Sequence, residues 1–126
     1  MAKNLVVYIA GPYRAPTLAG VFANIQRARL VAQELAKHGI FFFCPHLNSA
    51  FMDGLNDDNY FLDFGLEMLR RCDAVLVLEG SEYSTGTKGE IAQAHQEGPP
   101  VFFMRTPTHL PDALLEWLAK EIAKGE

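Results

Sequence analysis

The sequence predicts an α/β domain, an open parallel sheet covered on both faces by helices, and three observations carry that expectation. Short apolar runs alternate along the chain with amphipathic helical segments, the order that builds a parallel sheet through helical crossovers. The runs are apolar throughout rather than at every second residue, as in strands buried on both faces. The length, 126 residues of which 49% are apolar, suits one hydrophobic core and leaves little room for a second, so residues 1–126 are expected to form a single domain.

Leu5-Val6-Val7-Tyr8-Ile9-Ala10 is the first predicted strand, β-branched and aromatic, and Gly11-Pro12 ends it. From about Val21 to His38, the residues Val21, Ile25, Ala28, Leu30, Val31 and Leu35 recur at helical spacing, with Gly39 placed to close the helix. Ile40-Phe41-Phe42-Phe43-Cys44 reads as a second buried strand stopped by Pro45, and a polar loop of about a dozen residues follows, to Asp57 or Asp58. A second helix is expected over Asn59 to Arg71, then the clearest strand, Ala74-Val75-Leu76-Val77-Leu78. The loop from Gly80 to Gly86 leads into a helix that opens near Thr87 and runs to Gln96. Glu97-Gly98-Pro99-Pro100 turns the chain into a fourth strand, Val101-Phe102-Phe103-Met104. Past a loop over Thr106 to Pro111, a last helix from Asp112 to Lys124 carries Leu114, Leu115, Leu118 and Ile122 on its inner stripe. No internal repeat, low-complexity tract or linker interrupts this order.

Composition excludes several partners. Eleven basic against fifteen acidic residues give a net charge of −4, the wrong sign for a nucleic-acid or membrane-surface footprint, although a small anion can be met by a local cluster of donors. No apolar run approaches the roughly 18 residues of a membrane span, and the stretch behind Met1-Ala2-Lys3-Asn4 is too short for a signal peptide, so a soluble cytoplasmic protein is expected. Cys44 and Cys72 lack CxxC or Cys/His metal spacing and read as buried thiols; no metal site and no cofactor are expected.

In an open parallel sheet ligands bind at the carboxyl ends of the strands, which directs attention to the loops after Ala10, Cys44, Leu78 and Met104. The loop Gly80-Ser81-Glu82-Tyr83-Ser84-Thr85-Gly86-Thr87-Lys88-Gly89-Glu90 is the most informative. Ser84, Gly86 and Thr87 at a helix N-terminus offer hydroxyls and backbone N–H groups suited to an anion or a ribose hydroxyl. The spacing is not that of a P-loop, and no G-x-G-x-x-G is present. Glu90 would fall in the first helical turn, where the dipole favours the ionised carboxylate and a nucleophilic role. On spacing alone, Thr87-Lys88-Gly89-Glu90 is equally a capping box, and that is the simpler reading. In the first loop Gly11 permits close backbone approach, Pro12 follows it, Tyr13 can stack on a base and Arg14 can clamp a phosphate; a tight turn with a solvated arginine explains the same residues. Tyr8 sits two residues before the strand end, where its hydroxyl can reach the crevice floor or simply join the core. His46 and Asn48 can read a base edge or belong to ordinary loop polarity.

Taken together, Tyr8-Ile9-Ala10-Gly11-Pro12-Tyr13-Arg14, Cys72-Asp73-Ala74-Val75-Leu76-Val77-Leu78, Ser84-x-Gly86-Thr87-x-x-Glu90-Ile91-x-x-Ala94 and Gly98-x-Pro100-Val101 resemble the nucleoside 2-deoxyribosyltransferase superfamily, over residues 4 to about 104. That superfamily includes 2'-deoxynucleoside 5'-phosphate N-hydrolases and nucleotide N-glycosidases. The resemblance implies a flavodoxin-like, doubly wound sheet of four to five strands, a homodimer or higher homo-oligomer, and cleavage of an N-glycosidic bond. It places Glu90 on the family's catalytic glutamate and Tyr8 on the tyrosine that orients it. Gly11, Arg14, Ser84 and Gly86 match positions that bind the sugar or a 5'-phosphate. In one respect the chain departs from the pattern: the family's aspartate eight residues before the one that opens the third strand is here Gly65. Asp63 is the candidate to replace it, although it lies on a different face of the helix.

Three readings follow from the sequence. The first is an enzyme that cleaves a (deoxy)nucleoside through a covalent glycosyl-glutamate and transfers the sugar to another base. The second is a (deoxy)nucleoside 5'-monophosphate N-glycosidase with water as acceptor. The third is a nucleotide-binding sensor without turnover.

Overall fold

The computed structural model describes residues 4–81 and 84–124. The Met1-Ala2-Lys3 start and the Glu82-Tyr83 part of the loop singled out above lie outside them. The expected alternation is present: β1 (Val6–Ala10), α1 (Leu18–Lys37), β2 (Phe41–Phe43), α2 (Pro45–Asn48), α3 (Asp58–Arg71), β3 (Ala74–Val77), α4 (Thr85–Glu97), β4 (Val101–Phe103) and α5 (Asp112–Lys124). The four strands form one parallel sheet in the order β2-β1-β3-β4, the doubly wound, flavodoxin-like arrangement.

Strand alternation assigns the side chains of β1 and β3 to two cores. Val7, Ile9, Ala74 and Leu76 pack with Val31 and Leu35 of α1 and with Leu114 and Leu118 of α5. Tyr8, Ala10, Val75 and Val77 pack with Leu69 of α3 and Ala94 of α4 on the other face. Each core contains one free cysteine, Cys44 in the first and Cys72 in the second. Asp73 fastens the start of β3 to the start of β1: its Oδ2 accepts from Val6 N at 2.9 Å and its own N–H donates to Val6 O at 2.8 Å.

Helix boundaries follow from caps that differ from the expected ones. The first helix begins at Leu18 rather than near Val21, because Thr17 is the N-cap and accepts from Gly20 N at 3.0 Å. The polar loop after β2 opens with the single turn α2, started by Pro45 at its first helical position. Asp57 caps α3 by accepting from Tyr60 N at 2.9 Å. Ser84 is the N-cap of α4 and accepts from Thr87 N at 3.2 Å, so this helix starts before Thr87 and ends at the left-handed Gly98.

Candidate active site

The order β2-β1-β3-β4 reverses direction of growth between β1 and β3, and a cavity of about 670 Å³ opens at the carboxyl ends of those strands. That is the expected place, and a suitable size, for a small organic ligand. The two strand ends come together closely because of Gly11, where an added Cβ would lie 2.4 Å from Leu78 Cδ1. Only glycine lets the turn after β1 press against the end of β3 in this way.

The floor of the cavity is a tyrosine and a glutamate. Tyr8 is wholly inaccessible, stacks against Phe43 with ring centroids 6.0 Å apart, and donates its hydroxyl to Glu90 Oε2. Burial pushes the Glu90 carboxyl up from 4.5 to about 7, and the Tyr8 hydroxyl offsets part of that rise. Burial first, and Glu90 second, raise the Tyr8 phenol above its ordinary value, so it stays protonated and acts as a donor. Two expectations change here. Because α4 begins with Thr85, Glu90 lies in its second turn, where the helix dipole has faded, and burial rather than the dipole governs its titration. The capping box of Thr87 with Glu90 is absent as well, since Ser84 caps the helix and Glu90 turns to Tyr8.

One wall is the start of α4. Ser84 Oγ accepts from both Thr87 N at 3.2 Å and Thr87 Oγ1 at 2.9 Å, so toward a ligand it can only donate. The first-turn amides beside it, at Thr85 and Gly86, have no intrahelical acceptor. This wall suits an anionic or hydroxylated group. The opposite wall is a stripe of α3 at helical spacing, Asp58, Phe61, Leu62 and Gly65, whose two apolar side chains suit a flat ring.

Across the mouth, the loop after β1 meets the segment between α2 and α3. Tyr13 donates to Asp53 Oδ1 at 2.6 Å, and Arg14 pairs with Asp58 in an exposed salt bridge. Burial and then Asp53 push the Tyr13 hydroxyl up to about 12. His46 is buried beneath this loop, with Nε2 3.0 Å from Pro12 O and Nδ1 3.9 Å from Cys44 Sγ. Burial lowers its pKa, so the neutral ring donates from Nε2 to Pro12 O. It secures the Gly11-Pro12 turn, and that nitrogen is not presented to a base edge as the sequence suggested.

Ten of the eleven residues nominated from the sequence line this cavity: Tyr8, Gly11, Pro12, Tyr13, Arg14, His46, Ser84, Gly86, Thr87 and Glu90. The eleventh, Asp63, does not. It is exposed on α3, two residues and therefore about 200° around the helix from Gly65, which is the position that faces the floor. Sequence reasoning missed Asp53, Asp58, Phe61 and Leu62 as lining residues. The spacing of Asp58, Leu62 and Gly65 is a helical stripe that was available to be read; nothing local marks Asp53.

The fold and its switch point define an α/β protein with a cavity of small-molecule size at the carboxyl edge of a parallel sheet. The family model described as "Domain of unknown function (DUF7768)" matches residues 5–104, and the chain belongs to that family. No protein of curated function matches it. Among solved structures, a 2-deoxyribosyltransferase from Bacillus psychrosaccharolyticus is similar with a TM-score of 0.63 and 20% identity, over 87% of this chain and 79% of that one. A conserved protein from Enterococcus faecalis V583 is similar with a TM-score of 0.63 and 24% identity, over 98% of this chain and 79% of that one. At these identities the likeness is one of fold. Among the described residues, no helix is long and apolar enough to cross a membrane.

Proposed function

We propose that the chain cleaves the N-glycosidic bond of a nucleoside or nucleotide and transfers the sugar to a second base. The observation that carries this reading is the hydrogen bond from Tyr8 to Glu90 Oε2 at the floor of the cavity. Tyr8 holds one carboxylate oxygen, which leaves Oε1 to attack the anomeric carbon C1'. As the C1'–O bond forms, the C1'–N bond breaks with its electron pair remaining on the base, which takes a proton from solvent. A nitrogen of an incoming base then attacks C1', the glycosyl ester releases ionised Glu90, and the proton on that nitrogen passes to solvent. This is the retaining double displacement of covalent glycosidases. The solved 2-deoxyribosyltransferase of the same fold supports the reading.

The α4 wall favours one variant. Ser84 as an obligate donor and the amides of Thr85 and Gly86 provide a place for a 5'-phosphate, with water then replacing the second base. Assembly into a homodimer or larger homo-oligomer is part of the proposal, and the exposed Phe22, Phe51 and Leu55 support it.

Chromatography of the protein incubated with nucleosides and nucleoside 5'-monophosphates, with and without a free acceptor base, tests the proposal. A new nucleoside formed only with an acceptor establishes transfer, and base released from monophosphates in water establishes hydrolysis. Glu90→Ala is expected to lower turnover at least about 10⁴-fold while binding persists. Wild-type turnover in that variant would remove Glu90 as nucleophile.

A further inference from the structure

Gly65 lies buried in the middle of α3, where the backbone is helical and no positive φ calls for glycine. A glycine inside a helix is destabilising relative to alanine, so its advantage here is its size. An added Cβ would lie 3.0 Å from the Tyr8 hydroxyl oxygen and 3.9 Å from Glu90 Oε2. The helix backbone itself is therefore the cavity wall beside the two floor residues. Farther up the same stripe, α3 presents the side chains of Leu62 and Asp58. At the level of the Tyr8–Glu90 pair it presents none.

We infer that the sugar bound here carries a 2'-hydroxyl, lodged over Gly65 against Glu90 Oε2. The inference rests on the N-glycosidic reading above. An attacking carboxylate oxygen stands about 3 Å from C1' in a reactive pose, and C2' is one bond away, so a substituent on C2' reaches the other oxygen of the same carboxylate. Hydrogen bonds to the 2-hydroxyl strengthen in the transition state of retaining glycosidases. The partner is present: Glu90 Oε2 accepts from Tyr8 and keeps lone-pair capacity for a 2'-hydroxyl. A 2'-methylene would make no such bond.

The test is kcat/KM for matched pairs of ribosides and 2'-deoxyribosides, free and as 5'-monophosphates, with wild type and Gly65→Ala. A site that hydrogen-bonds a substrate hydroxyl discriminates strongly against the analogue lacking it, so wild type should prefer the riboside by at least about tenfold. The added methyl should abolish that preference, bringing the ratio of riboside to 2'-deoxyriboside kcat/KM to about one. Equal or faster cleavage of 2'-deoxyribosides by wild type overturns the inference and leaves the N-glycosidic reading standing. An equal loss on both sugars in Gly65→Ala overturns it too. No base release from either sugar removes the N-glycosidic reading and this inference together. Should Gly65→Ala fail to fold by circular dichroism, the wild-type ratio alone decides.

Discussion

On the face covered by α1 and α5 the strands present Val7, Ile9, Ala74 and Leu76, and every member of the surrounding buried cluster is apolar. On the face covered by α3 and α4 they present Tyr8, Ala10, Val75 and Val77, and the cluster ends in a phenol that reaches a carboxyl group. Among the described residues the first cluster has fourteen buried members and the second seven, so the deeper core lies on the side away from the Tyr8–Glu90 pair. The same strands thus anchor the fold with one set of side chains and floor the cavity with the alternate set. A buried ionisable pair is costly to desolvate, and the larger apolar face offsets that cost.

Substitutions on the two faces should separate stability from turnover. Leu76→Ala on the thick face is expected to cost about 2–5 kcal/mol, read by urea denaturation, with kcat unchanged in the molecules that remain folded. Tyr8→Phe on the thin face keeps the ring and loses only the hydroxyl; turnover should fall about 10²-fold with a stability change within about 1 kcal/mol. The pH profile sharpens this second case. With ionised Glu90 as the proposed nucleophile, wild-type kcat/KM should rise with pH through about 7. Tyr8→Phe removes the hydrogen bond that holds the carboxyl down, and its profile should shift to higher pH.

The smallest effect concerns the stability of Glu90 itself. Its folded value, about 7, lies above the ordinary 4.5, so folding favours the protonated form. That contribution is complete below 4.5 and is lost as pH rises through about 7. Glu90→Gln, neutral throughout, should match wild type in acid and be more stable by on the order of 2 kcal/mol at pH 8, as measured by thermal denaturation.

Much of this arrangement was legible in the sequence because strong local signals coincide with it. The β1 and β3 runs are apolar at every position, and parallel strands buried on both faces require that pattern. The loops at the switch point were legible because the alternation of elements implies a parallel sheet, and the usual doubly wound order brings the loops after its first and third strands together. What was misplaced depends on competition between near-equal local choices. Ser84 and Thr87 are both good N-caps three residues apart, and the one that caps α4 is Ser84. The turn α2 is too short for any periodicity to register. Asp63 was nominated from chemistry while the helix period already turned it away from Gly65. The Tyr13–Asp53 bond joins residues 40 apart in sequence, and no local pattern encodes it.

The placement of one free cysteine in each core has a practical corollary. Burial raises both thiols to about 11, so in the folded state at neutral pH they are protonated, shielded and slow to react. A maleimide can therefore modify each sulfur only during excursions that uncover it, which makes the two labelling rates independent clocks for the opposite sides of the sheet. Cys72, the more exposed of the two, should be labelled ahead of Cys44, and a ligand seated in the cavity, whose lining includes the His46 that Cys44 contacts, should slow the Cys44 clock more than that of Cys72, which lies at the amino end of β3.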